Sequence, residues 1–149
     1  MYFFTLAVQV VLLLVFLWGV STIFVGFITK KRILPPAGHS HTMAVLICAH
    51  NEGRVVGKLL ESLVQQDYPH SSYHIFLCAD HCTDDTAAIG EAFPNITVWK
   101  RDEGPRTGKG AVLSWGLQKI RQEWPESFEY AVIFDADNVA DPYFLKAMN

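Results

Sequence analysis

The chain has 149 residues, 50% of them hydrophobic, and a formal net charge of −3. That length leaves room for one domain. Apart from Lys30-Lys31-Arg32 there is no stripe of Lys and Arg, which excludes a nucleic-acid-binding surface of the usual basic kind.

Residues 1–29 carry no charged side chain, and Leu6 to Ile28 is almost wholly Leu, Val, Phe, Ile and small residues. At 1.5 Å per residue such a run crosses a hydrocarbon layer of about 30 Å. A secretory signal places its positive charge before the apolar run and ends in a small-residue cleavage site. Here the charge follows, as Lys30-Lys31-Arg32, so the segment reads as a transmembrane helix rather than a signal or a buried core helix. The positive-inside tendency puts the remainder at the cytoplasmic face of a cell membrane and the amino terminus outside. Residues 30–42 contain Pro35-Pro36, Gly38 and two His, and form a basic flank and extended linker.

The soluble part, residues 43–149, opens with Met43 to Cys48, a continuous apolar run suited to a strand buried on both faces. Arg54 to Gln66 carries Val55, Val56, Leu59, Leu60 and Leu63 at helical spacing and stops before Pro69. A second strand is expected over His74 to Ala79, a second helix over Thr83 to Phe93 and a third strand over Ile96 to Lys100. Arg101 to Thr107 is a polar loop. Lys109 to Trp124 is an amphipathic helix with Leu113, Leu117, Ile120 and Trp124 on one face. Tyr130 to Phe134 makes a fourth strand, and Asp141-Pro142 opens a last helix with Asp141 as its cap. Alternating strands and helices imply an α/β fold with a mainly parallel sheet and right-handed crossovers. The chain reaches Asn149 about two turns into that last helix, where a domain of this class is expected to continue. Cys48, Cys78 and Cys82 are odd in number and fit a reducing compartment, where the acceptor Asn95-Ile96-Thr97 would carry no glycan.

Three acidic signals fall at the carboxyl ends of these strands, where open parallel sheets bind ligands: Asn51-Glu52, Asp80 and Asp135-Ala136-Asp137. Two carboxylates ~5 Å apart repel by about 3 kcal/mol at an effective dielectric near 20. A hard divalent cation, Mg²⁺ or Mn²⁺, relieves that repulsion at Asp135 and Asp137. The bland alternative is a pair of solvated turn carboxylates. Asn51, Glu52, Thr83 and Asp84 serve equally well as helix-starting residues, whereas Asp80 precedes the cap and is free to accept hydrogen bonds from a base or ribose. Its replacement by Ala is then expected to weaken uridine nucleotide binding and leave the fold intact.

Gly104 to Gly110 is not a phosphate loop of the P-loop type. Its glycines have three intervening residues instead of four, and Gly110 replaces the hydroxyl residue. It leaves Lys109 at a helix start, where backbone N–H groups and the ammonium can meet an anion. His81 and Cys82 beside Cys78 match no common zinc spacing.

Together, Leu46 to Glu52, Cys78 to Thr86, Gly108-Lys109-Gly110 and Asp135-Ala136-Asp137 resemble, in order, the motifs of family 2 glycosyltransferases with the GT-A nucleotide-sugar fold. The departures are Cys48 where the first motif often has Pro, and His81-Cys82 where the second usually has Gly-Ser. The resemblance implies that Ala49, Asn51, Glu52, Asp80, Lys109 and Asp135 contact a nucleotide-sugar donor, a UDP-sugar, and that Asp135 and Asp137 hold Mn²⁺ or Mg²⁺. It implies transfer of the sugar to a polysaccharide, lipid or other acceptor. In that family the general base and acceptor motif lie further along the chain, in a carboxyl-terminal half beyond Asn149, so no base is assigned. Two rivals remain. Val132 to Val139 also resembles the start of a haloacid dehalogenase phosphatase, with Asp135 as nucleophile, although that motif should open its domain. The chain could also bind a donor without turnover.

Overall fold

The computed structural model describes residues 2–28 and 38–149. The basic flank Lys30-Lys31-Arg32 and Pro35-Pro36 lie outside the described residues. The chain divides into two compact units. The first is helix α1, Tyr2–Ile28, long and apolar enough to cross a membrane. Its Thr5, Ser21 and Thr22 hydroxyls donate back to carbonyls three residues earlier.

The second unit holds four strands, β1 (Met43–Ala49), β2 (Tyr73–Asp80), β3 (Ile96–Arg101) and β4 (Tyr130–Asp135), all parallel in the order β3-β2-β1-β4. Helices α2 (Val56–Val64), α3 (Thr86–Glu91), α4 (Lys109–Glu123) and α5 (Phe144–Met148) connect or follow them. β1 and β2 lie inside the sheet and are buried on both faces, which is why their sequences are continuously apolar. β4 is an edge strand, and its burial alternates, with Val132 and Phe134 inward and Tyr130 and Ile133 exposed.

The chain runs from β1 outward to β2 and β3, then returns across β1 to β4. Right-handed crossovers in opposite directions put the connecting helices on opposite faces. Accordingly, α2 packs Val56, Leu59, Leu60 and Leu63 against Val45, Ile47 and Leu77. On the other face α4 packs Val112 and Ile120 against Leu46, Phe76 and Trp99. The stripe expected on α4 is displaced: Val112, Gly116 and Ile120 are buried, while Leu113, Leu117 and Trp124 flank them. Gly116 explains the shift. A Cβ there would stand 2.9 Å from Cys78 Sγ and 3.1 Å from a Leu46 methyl, so the helix axis approaches the sheet closest at that residue.

Element ends differ from expectation where side chains compete for backbone groups. The first helix begins at Val56 rather than Arg54, because the Glu52 carbonyl takes the Val55 and Val56 N–H groups in a preceding turn. The second begins at Thr86 rather than Thr83. Asp84 Oδ1 accepts the Thr86 N–H at 3.0 Å and its hydroxyl at 2.5 Å, closing the turn before it. The last helix runs from Phe144, with Asp141 accepting the Tyr143 N–H at 2.8 Å.

Candidate functional site

The return of the chain across β1 opens a crevice at the carboxyl ends of β1 and β4, the position where open α/β sheets take ligands. A cavity of about 270 Å³ occupies it. Its walls come from three places: Cys48 to His50 and Glu52 after β1, Asp80 at the end of β2, and Asp135 to Asp137 after β4. Arg106, Gly108 and Lys109, at the approach to α4, close the remaining side.

Strand periodicity accounts for the convergence. Cys48 is in register with Cys78 on one side and Asp135 on the other. Side chains two apart share a face, so Cys48, Asp80 and Asp135 all project to the α4 side of the sheet. Gly108, at φ 96°, turns the chain into α4, a conformation that L side chains avoid. The Ala111 N–H of that 15-residue helix donates to the Gly108 carbonyl at 3.1 Å, whereas the Lys109 and Gly110 N–H groups come before any intrahelical acceptor.

Of the residues singled out from sequence, Ala49, Glu52, Asp80, Lys109, Asp135 and Asp137 line the cavity. Asn51 stands outside that lining. Its Oδ1 accepts the Thr83 N–H at 2.7 Å, and its own N–H donates to Cys82 Sγ at 3.4 Å, tying the β1 loop to the β2 loop. Both loops take left-handed turns at non-glycine residues, Asn51 at φ 55° and His81 at φ 49°. Such strain is costly and persists where surrounding contacts enforce it.

Asp80 is not free. It is buried, at 4% exposure, and its Oδ1 accepts from Arg101 Nη1 at 2.5 Å and from His81 Nδ1 at 3.0 Å. Burial pushes its pKa up, but the hydrogen bonds and charges of Arg101 and His81 outweigh that and hold the carboxyl below the usual range. Arg101, expected in a loop, is instead the last residue of β3 and the register partner of Asp80. The extra strand residue is what brings the pair together. Replacing Asp80 therefore leaves the Arg101 guanidinium without its carboxylate, and fold neutrality is no longer expected.

Lys109 forms an ion pair with Asp135, both side chains about half exposed. His50, not singled out from sequence, donates from Nδ1 to the Asp80 carbonyl at 2.6 Å, which fixes its ring in the cavity wall. Cys48 and Arg106 were also missed. No sequence pattern marks them, because they qualify by register and loop path alone. The thiols of Cys48 and Cys78 sit side by side. The hydrogen bond from Cys78 lowers the pKa of Cys48 against its burial, and Cys78 itself is pushed up.

Asp135 and Asp137 offer two carboxylates at one cavity edge, exposed enough to be reached from solvent. Two hard oxygen donors fit a Mg²⁺ or Mn²⁺ ion, which typically takes one or two carboxylates and completes its shell with water and substrate phosphate.

An open parallel α/β sheet with a helix N-terminus, a lysine and paired carboxylates at its switch point defines a nucleotide-binding domain of the GT-A class. The chain belongs to glycosyltransferase-like family 2, whose model matches residues 40–149. Beta-monoglucosyldiacylglycerol synthase of Synechocystis sp. is 28% identical over 99 residues, covering 64% of this chain. The match spans 19% of that relative, so the chain corresponds to about a fifth of its length. Among solved structures, the mannosyltransferase PcManGT of Pyrobaculum calidifontis, in complex with GDP-Man and Mn²⁺, superposes with TM-score 0.68 at 22% identity. That covers 89% of this chain and 37% of the neighbour. S. aureus TarS in complex with UDP-GlcNAc superposes with TM-score 0.63 at 23% identity, covering 72% of this chain and 30% of that one. Both share the fold.

Proposed function

We propose that this chain is the donor-binding part of a membrane-anchored glycosyltransferase that moves a sugar from a UDP-sugar to a lipid acceptor. The observation that carries the reading is the gathering of Glu52, Asp80, Lys109, Asp135 and Asp137 around one cavity at the switch point. Family membership supports the reaction class. The diacylglycerol relative, with the apolar helix α1, supports a lipid acceptor over a soluble one.

Each residue has a role set by its surroundings. Asp80, kept anionic by Arg101 and His81, accepts hydrogen bonds from the nucleobase or ribose. Ala49 and Glu52 border the nucleoside, and Asn51 holds their loop in shape. Lys109 and the α4 N-terminus face the donor diphosphate and stabilise the negative charge that builds on it as the sugar departs. Asp135 and Asp137 would hold a divalent cation, Mn²⁺ or Mg²⁺, which when bound supplies further positive charge to the leaving diphosphate. The domain assignment follows: 1–29 as membrane anchor, 30–42 as basic flank and linker, 43–149 as the donor half on the cytoplasmic side.

The reading is tested by titrating UDP and uridine into the detergent-solubilised chain, with Mn²⁺ and with chelator. UDP is expected to bind more tightly with Mn²⁺, and uridine to bind alike in both. Equal UDP affinity in all conditions, for the parent and Asp137→Asn alike, would remove the metal site and the main support for a transferase. Orientation is tested separately. Protease added outside right-side-out vesicles should leave the region after Ile33 intact, and its digestion there would reverse the assignment.

A further inference from the structure

At the opposite end of the sheet a second cluster of ligating side chains is assembled. The register that pairs Met43 with Tyr130 continues one residue further, where the Thr42 carbonyl accepts both the Glu129 and Tyr130 N–H groups at 3.0 and 3.1 Å. That continuation brings Glu129 against the segment entering β1. His39 and His41 are two residues apart, and their rings lie 4.3 Å centroid to centroid. The His41 ring reaches Glu129 Oε1 at 3.1 Å, and Glu129 Oε2 accepts the Thr42 N–H at 2.9 Å. One ligand atom from each of His39, His41 and Glu129 falls within 4.8 Å of the others. Among the described residues this is the one such group of three.

The backbone that carries the two histidines is held in place by other contacts. Asn149 Nδ2 donates to the His39 carbonyl at 3.1 Å, while its Oδ1 accepts the His41 N–H at 2.8 Å. The Tyr68 hydroxyl lies 2.7 Å from the His41 carbonyl, and the Tyr130 ring packs edge-on against His41. The ligands are thus positioned by groups that do not themselves ligate, the arrangement a metal site requires.

We propose that His39, His41 and Glu129 form a Zn²⁺ site, separate from the donor cavity, which staples the segment entering β1 to the start of β4. Two imidazoles and a carboxylate are the donor set that favours Zn²⁺ over Mg²⁺ or Mn²⁺. Ligand atoms of a tetrahedral zinc stand ~3.4 Å apart, since each lies about 2.0–2.1 Å from the ion. The cluster needs to contract by roughly an ångström to reach that spacing. The exposed His39 ring can rotate to supply that movement, and water takes the fourth position. Without a metal, His41 and Glu129 make a hydrogen-bonded pair whose side chains are 21% and 48% exposed, open to screening by solvent.

The test uses the full chain in detergent, with Mg²⁺ in excess to occupy the oxygen-ligand site. One equivalent of Co²⁺ should give the visible d–d absorption of a tetrahedral site, and Zn²⁺ should displace it and raise Tm. His39→Ala removes an exposed ligand without touching the core, and Glu129→Gln keeps the shape of the third. Each should abolish the Co²⁺ band and weaken Zn²⁺ binding by about tenfold or more, whereas Asp137→Asn should leave both unchanged. Zinc binding that survives His39→Ala, that is lost in Asp137→Asn, or that is absent from the parent would overturn the assignment.

Discussion

The two ends of the parallel sheet are built to opposite specifications. At the amino end polar groups are matched: Gln66 Nε2 donates to the Ser62 and Asp141 carbonyls at 3.0 and 2.7 Å, and its Oε1 accepts the Leu145 N–H at 3.0 Å. Tyr68, His41 and Asn149 close the same end. At the carboxyl end Asp137 and half-exposed Asp135 and Lys109 stand around open space, between loops held in left-handed turns. One end spends its polar groups on holding α2, α5 and the sheet together. The other keeps them available to a ligand. Asp80 belongs to both, since it borders the cavity yet is buried in a pair with Arg101.

If that division is right, variants at the amino end should cost stability and leave donor binding alone. Gln66→Ala should have the largest effect on folding. It removes three hydrogen bonds and orphans the buried Leu145 N–H at about 1–3 kcal/mol, while the Asp141 carbonyl keeps the Phe144 N–H; the loss is read as a lower urea midpoint at constant m. UDP affinity of the folded protein should be unchanged, and a matching loss of affinity would show that the two ends are coupled.

Asp80→Ala should lose on both counts. About 1–3 kcal/mol of stability goes because, among the described residues, the Arg101 guanidinium retains the Pro105 carbonyl alone, and uridine binding weakens as well. The same pair predicts a pH dependence. The folded pKa of Asp80 lies below its unfolded value of about 3.9. Its stabilisation is therefore complete above that value and is lost as pH falls through the lowered folded pKa. Urea melts at pH 5 and pH 3 should show the parent losing more stability than Asp80→Asn, and parallel losses would mean the carboxylate is not stabilised by folding.

Asp137→Asn isolates the functional end. Exposed, and without an ion pair among the described residues, it should alter stability by less than about 0.5 kcal/mol, while the Mn²⁺-dependent gain in UDP affinity falls roughly tenfold or more. The smallest effect belongs to Lys146→Ala. That residue pairs with Asp67 at the amino end, but both side chains are more than half exposed, and solvent screens the pair. No resolvable change in the urea midpoint is expected, and a clear one would mean that surface charge as well as matched polar groups holds this end.

What the sequence by itself determined was local. Continuous apolar runs at β1 and β2 announced strands buried on both faces, and the spacing of Leu59, Leu60 and Leu63 announced α2, because burial repeats with the period of the element. Glu52, Asp80, Lys109, Asp135 and Asp137 were legible as a candidate site because each stands near a strand or helix end, and parallel sheets collect those ends; all five line the cavity. Register was left to the tertiary structure. Only the pairing of Asp80 with Arg101 and of Cys48 with Asp135 says which charges are neutralised and which stay open to a ligand. His39, His41 and Glu129 escaped for the same reason. Eighty-eight positions separate His41 from Glu129, and no periodicity links them. Their meeting depends on β4 returning beside β1, a consequence of the crossover direction that folding the whole sheet enforces.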